Sequence, residues 1–172
     1  MGMDVIGKNA KNKRGEYFRN NVWWWRPLWN YCLNFHKDIA GAVKNGHSNN
    51  GDGLDADKAH ALGVRLQKDI EDGFTAKYET EYREYLLSLP QTECQLCKGT
   101  GIRRDPVGVE NGMPTRELDE EDSILLKRSH GWCNGCSGHG KKDAWDTNYP
   151  FSVENVQEFS EFLLNSGGFA IC

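Results

Sequence analysis

Apolar residues return at helical spacing in four places along the chain. Ala59, Leu62, Leu66 and Ile70 share one face, and Asp55 stands where a cap belongs, which predicts a helix from Asp55 to about Asp72. Gly73 interrupts it. Tyr78, Tyr82, Tyr85, Leu86 and Leu89 predict a further helix from about Thr75 to Leu89 that buries this face, with Glu79 and Arg83 as a supporting i,i+4 pair and Pro90 as its stop. Near the end, Val153, Val156, Phe159, Phe162 and Leu163 follow Ser152, a capping residue, and Gly167 and Gly168 close that helix. The earliest stripe, Leu28, Cys32, Phe35, Ile39 and Val43, predicts a helix from about Pro27 to Val43. Proline suits a first helical turn and pushes the residue before it towards extended geometry, so VWWWR, Val22–Arg26, reads as extended. Asp4–Gly7 reads as a short strand and Lys8–Asn21 as a loop. The turn-rich HSNNGDGLD, His47–Asp55, has no register that fits a calcium loop.

These elements imply a mainly α fold with a small β component (α+β). A helical body of residues 1–90 and 148–172, with a basic, aromatic N-terminal segment, is interrupted by an insertion of residues 91–147. The insertion contains a repeat: CQLCKGTG at Cys94–Gly101 and CNGCSGHG at Cys133–Gly140 both read C-x-x-C-x-G-x-G. Two thiolate pairs close one tetrahedral zinc site, with Zn–S near about 2.3 Å. Glycines permit the left-handed turns such a knuckle needs. A redox C-x-x-C pair would be single and would open a helix after a strand, whereas here there are two pairs, each followed by glycines. Cys94, Cys97, Cys133 and Cys136 are therefore the expected ligands of one structural Zn2+, and His130 and His139 nearby read as exposed loop residues. A four-cysteine site leaves no position for water or substrate, so it stabilises rather than catalyses.

The repeat resembles the cysteine-rich zinc domain of DnaJ-type co-chaperones, which has four such motifs and two zinc sites. Half the motifs implies one zinc here. The His-Pro-Asp tripeptide of the J-domain is absent, so the resemblance implies a metal site and a role in protein contact, not co-chaperone activity.

Composition bounds the rest. At 172 residues, 38% hydrophobic, 27% charged and a net charge of −4, the chain reads as an ordinary globular protein and not as a general nucleic-acid binder. It has no apolar run of membrane-spanning length, its opening lacks the apolar core of a signal peptide, and Ile6 stands where a myristoylation motif wants Ser or Thr. The expected compartment is the cytoplasm, where cysteines stay reduced.

The charge is unevenly spread. Residues 1–37 carry Lys8, Lys11, Lys13, Arg14, Arg19, Arg26 and Lys37 against Asp4 and Glu16, a net +5. Four tryptophans lie between Trp23 and Trp29. In an extended segment Trp23 and Trp25 face one way and Trp24 the other. Aromatic clusters are usually core. Interleaved with arginines they also fit a platform on which Arg14, Arg19 and Arg26 bind phosphate while Tyr17, Trp23 and Trp25 stack on a base. That reading expects a nucleotide-like small molecule as ligand and no extended nucleic acid. The N-terminal segment is similar to small uncharacterised proteins often encoded by bacteriophages, which implies a host-interaction role, such as sequestering a host signal or blocking a host defence component. No nucleophile motif, P-loop or dinucleotide fingerprint is present, and His36, His47, His60, His130 and His139 form no catalytic spacing. His47 with Asp52 is the one conceivable acid–base pair. The expectation is a non-enzymatic, zinc-stabilised binding protein. The alternatives are a protein-interaction module built on the zinc insertion and its acidic stretch Glu117–Asp122, and a small nucleotide-processing enzyme.

Overall fold

The computed structural model describes residues 2–172, which separate into two units. One is a body running up to Leu87 and again from Asn148 to Cys172; the other is a module, Ser88–Thr147. As predicted, the fold is mainly helical with a small β component, which consists of two small antiparallel sheets.

The body's sheet has the order β2-β1-β5, from β1 (Gly2–Gly7), β2 (Tyr17–Asn21) and β5 (Phe169–Ile171). Val5 on β1 faces Phe18 on one side and Ile171 on the other, so the three inward side chains form one row. Both β2 and the short helix α1 (Lys13–Glu16) fall where a loop was expected. The polar inward residue Asn20 hides the strand's alternation: it is buried and its amide donates to Asn155 Oδ1 at 2.6 Å.

VWWWR is helical, not extended. Helix α2 spans Val22–Phe35, because the Asn21 side chain accepts the N–H groups of Trp23 and Trp24 at 3.0 and 3.1 Å. Pro27 sits inside α2 rather than opening it, at the cost of one helical hydrogen bond. The helix then breaks at His36 and resumes as α3 (Lys37–Ala40), so the single helix expected to reach Val43 is two. Trp25 and Trp29, one turn apart, both enter the core, where their rings stack 5.5 Å apart. Phe159 meets Trp25 edge-on at 5.5 Å.

Helix α4 (Ala56–Glu71) starts at Asp55, whose carboxylate accepts Lys58 N–H at 2.9 Å. It crosses α8 (Val153–Ser166) at Gly63, whose carbonyl accepts the Ser160 hydroxyl at 3.0 Å. A Cβ on Gly63 would lie 3.0–3.1 Å from Leu163 and Leu164, so the absent side chain permits the close crossing. Ser152 caps α8 and Gly167, at φ 61°, ends it. Helix α5 (Phe74–Ser88) forms close to its expected bounds, but its face is less buried than the spacing suggested: Tyr78 and Tyr82 are half-buried and Tyr85 is 54% exposed. Among the described residues no helix is long and apolar enough to cross a membrane.

Candidate metal centre

The module holds helices α6 (Pro106–Glu110) and α7 (Glu120–Leu126), a turn of 3-10 helix beginning at Trp145, and a two-stranded ribbon of β3 (Thr92–Glu93) and β4 (Lys141–Lys142). Each C-x-x-C turn is tied in the same way. In the first, Gly99 N–H donates to Cys94 O, Thr100 N–H to Cys97 O, and Gly101 N–H to Cys97 Sγ at 3.3 Å. In the second, Gly138 N–H donates to Cys133 O, His139 N–H to Cys136 O, and Gly140 N–H to Cys136 Sγ at 3.2 Å. Their left-handed residues match: Lys98 and Ser137 at φ 49° and 47°, Gly99 and Gly138 at 76° and 78°, Gly101 and Gly140 at 74° and 79°.

The repeat is therefore a structural one, two knuckles related by an approximate two-fold. The relation explains the last glycine of each motif. A Cβ on Gly101 would lie 2.1 Å from the carbonyl oxygen of Gly138, and one on Gly140 would lie 2.2 Å from that of Gly99. Each knuckle thus fits into the other only where both lack side chains.

The four sulfurs converge. Cys94 and Cys133 Sγ are 3.9 Å apart, Cys97 and Cys136 Sγ are 3.7 Å apart, and all four lie within 4.8 Å of one another. A tetrahedron with Zn–S near 2.3 Å has edges of about 3.8 Å. None of the four is in a disulfide and all are buried. The donor set and its dimensions fit one zinc ion held by Cys94, Cys97, Cys133 and Cys136. Burial raises the Cys136 thiol to about 12 and also raises Cys133. For Cys94 burial acts in the same direction but is outweighed by the N–H groups of Cys97 and Leu96, which bring it down to about 7. Zinc binds cysteine as thiolate, so metal uptake by the cage would release protons.

His130 and His139 are exposed and outside the cluster; His130 pairs with the Ser129 hydroxyl at 2.9 Å. A residue the motif did not reveal is Arg128. Its guanidinium donates to Gly101 O at 3.1 Å, Gly138 O at 2.7 Å and Gly131 O at 3.3 Å, so one side chain ties the two knuckles together. Arg103 forms a bidentate pair with Asp105 at 2.8 and 3.0 Å and reaches Asn134 at 3.1 Å. This pair, with the Gly108 N–H, holds the Asp105 carboxyl below its ordinary value.

Replacing Gly140 by alanine combines left-handed backbone strain with overlap against Gly99, and is expected to cost at least about 2 kcal/mol. Gly112→Ala is the control: its φ is 66° but nothing lies within 4 Å of the added carbon. Zinc transfer to a chromophoric chelator should shift by about 30-fold for G140A and far less for G112A. Equal shifts would remove the interlocking role of Gly140.

The residues of the basic head go to separate partners within the body. Arg14 pairs with Glu161 on α8, and Arg19 lies 3.8 Å from Asp4 on β1. Arg26 donates to the Tyr149 hydroxyl at 3.1 Å and lies over its ring. The Tyr17 hydroxyl donates to Asp4, which raises the phenol's pKa. Trp23 is half-buried against Tyr149, with centroids 4.9 Å apart. Trp25 is fully buried and leaves no ring face for a base. His47 and Asp52 also engage different groups: His47 reaches Asn30 at 3.1 Å, while Asp52 accepts the N–H groups of Lys44 and Asn45 at 2.7 and 2.8 Å. Comparison with protein-family models, curated proteins and solved structures finds no match to this chain.

Proposed function

We propose that the chain is a non-enzymatic interaction protein whose zinc-stapled module presents an apolar and acidic surface to a protein partner. The observation that carries this reading is how the module uses its apolar residues. Its buried cluster consists of Cys94, Cys97, Cys133 and Cys136, with Leu118 the one other buried large apolar side chain. Meanwhile Val107, Val109, Ile124 and Leu125 are 51%, 58%, 72% and 60% exposed. Where a metal takes over the stabilising task of a core, apolar side chains become available for contact.

Helix α7 is the most pronounced case. Asp119 caps it, and Leu126 lies against Gly138 of the second knuckle. Ile124 and Leu125 remain outward, beside Glu117, Asp119, Glu120, Glu121 and Asp122. The resemblance of the repeat to the DnaJ-type domain supports a role in protein contact. The N-terminal resemblance to phage-encoded proteins makes a host protein the first partner to seek. The nucleotide reading has less support, because Arg14 and Arg19 are matched by carboxylates and Trp25 is sealed in the core.

The test compares the zinc-loaded protein with an Ile124→Ser, Leu125→Ser variant as bait. A discrete protein should co-purify with the wild type and be lost from the variant, whose melting temperature should be unchanged. Retention by the variant would overturn the role of α7. A saturable tryptophan-fluorescence response to nucleotides, abolished by Arg26→Ala, would return the function to the basic head.

A further inference from the structure

In the body, the end of α2 and the turn between α4 and α5 enclose an open groove of about 480 Å³, lined by Phe35, His36, Asp69, Asp72, Phe74 and Lys77. At its base is a carboxylate with an uneven environment. Asp69 Oδ2 accepts the Tyr31 hydroxyl at 2.7 Å and lies 2.7 Å from His36 Nε2. Both partners are buried. Burial, and then the bond to Asp69, hold the Tyr31 phenol far above its ordinary value, so it stays a donor to Asp69. Asp69 Oδ1 accepts no hydrogen bond among the described residues.

The charges around it are already matched. Asp72 pairs with Lys68 at 2.9 Å, and Lys77 lies 3.7 Å from Glu81. Asp69 has no lysine or arginine partner, although its side chain is only 20% exposed. Its one ion-pair partner is His36, and a carboxylate in a partly closed groove gains from a further counter-charge. The groove also keeps two aromatic rings partly open: Phe35 and Phe74 are 42% and 40% exposed and meet edge-to-face at 5.0 Å. Aromatic faces attract cations, and their apolar area suits methylene or methyl groups.

We infer that this groove binds an alkylammonium cation, with the charged head at Asp69 Oδ1 and the alkyl groups against Phe35 and Phe74. An ammonium suits it better than a guanidinium. The planar fork of a guanidinium is best matched by both oxygens of a carboxylate, and here Oδ2 already serves Tyr31 and His36. The same head group occurs on free amines and on lysine side chains of a partner. The site uses no residue of the zinc module and stands apart from the proposed function.

The experiment titrates the full zinc-loaded protein with choline, with n-butylammonium, with Nα-acetyl-lysine methylamide and with the neutral carbon isostere of choline, following the aromatic proton resonances of Phe35 and Phe74. At least one cation should give saturable shifts, and the neutral isostere should bind about tenfold more weakly. Preference for the lysine derivative would assign the source to a peptide, and preference for choline or n-butylammonium to a free amine. Phe74→Ala, at a partly exposed position, should weaken binding about fivefold. Asp69→Asn, which keeps the shape, should abolish it. If that variant does not fold, the isostere and Phe74→Ala comparisons decide. No saturable shift with any cation, equal binding of the neutral isostere, or wild-type affinity in Phe74→Ala would each overturn the inference.

Discussion

Replacing Cys94 by serine, or stripping the metal with a chelator, is expected to unfold the module Ser88–Thr147 while the body keeps its structure. The module has little else to hold it. Its buried cluster is the four cysteines, and its ribbon is two residues per strand. Structural zinc contributes on the order of 10 kcal/mol to folds of this kind. The body's core, from Met3 to Ile171, includes no residue of the module, so it should not report the loss. Elemental analysis should find one zinc per wild-type chain and none bound in Cys94→Ser. Amide resonances of the module should collapse to unfolded positions while those of α4 and α8 stay. Cys172→Ser, at an exposed free cysteine, should leave the zinc content unchanged. Amides of the module that stay protected after chelation would show a fold independent of the metal.

The second large effect is expected in the body, from Trp25→Ala. The ring is fully buried, stacked on Trp29 and met edge-on by Phe159, and its Nε1 donates to Gly46 O at 2.7 Å. Truncating a buried tryptophan costs about 3–5 kcal/mol. That is a large part of the roughly 5–15 kcal/mol that holds a domain folded. Trp25→Phe separates the contributions: it keeps much of the stack but leaves the Gly46 carbonyl without its donor, for about 1–3 kcal/mol. Denaturant melts of both variants, with near-ultraviolet circular dichroism for the tryptophan stack, give the measurement. A Trp25→Ala protein within about 1 kcal/mol of wild type would mean that the ring is a surface group, as a binding role requires.

What the sequence made legible follows from how local each signal is. Helices α4 and α8 carry both an apolar stripe and a capping residue, Asp55 and Ser152, and both formed as read. The four-cysteine cluster was legible because its spacing is the chemistry. The start of α2 was not. Proline geometry points to a start at Pro27, while the deciding interaction is the Asn21 side-chain oxygen, which accepts two N–H groups several residues earlier. Strand β2 was hidden because its inward pair is Phe18 and Asn20, so burial does not follow hydrophobicity there. The partners of the basic head were hidden for a related reason. Counting charges along residues 1–37 cannot show that Glu161, far away in the chain, comes to Arg14. Arg128 left no trace because its three acceptors are backbone carbonyls, which every residue has.

The reciprocal fit of the two knuckles also sets a schedule for synthesis. Cys94 and Cys97 leave the ribosome 39 residues ahead of Cys133 and Cys136. At about 5–20 residues per second, the first pair waits about 2–8 s for its counterpart. In that interval the four-sulfur cluster stays half-built, since two of its sulfurs have yet to be made. The nascent chain therefore passes through a short period with two accessible thiols and an incomplete metal site. Zinc supply and oxidant level at the moment of translation then bear on what fraction of chains matures.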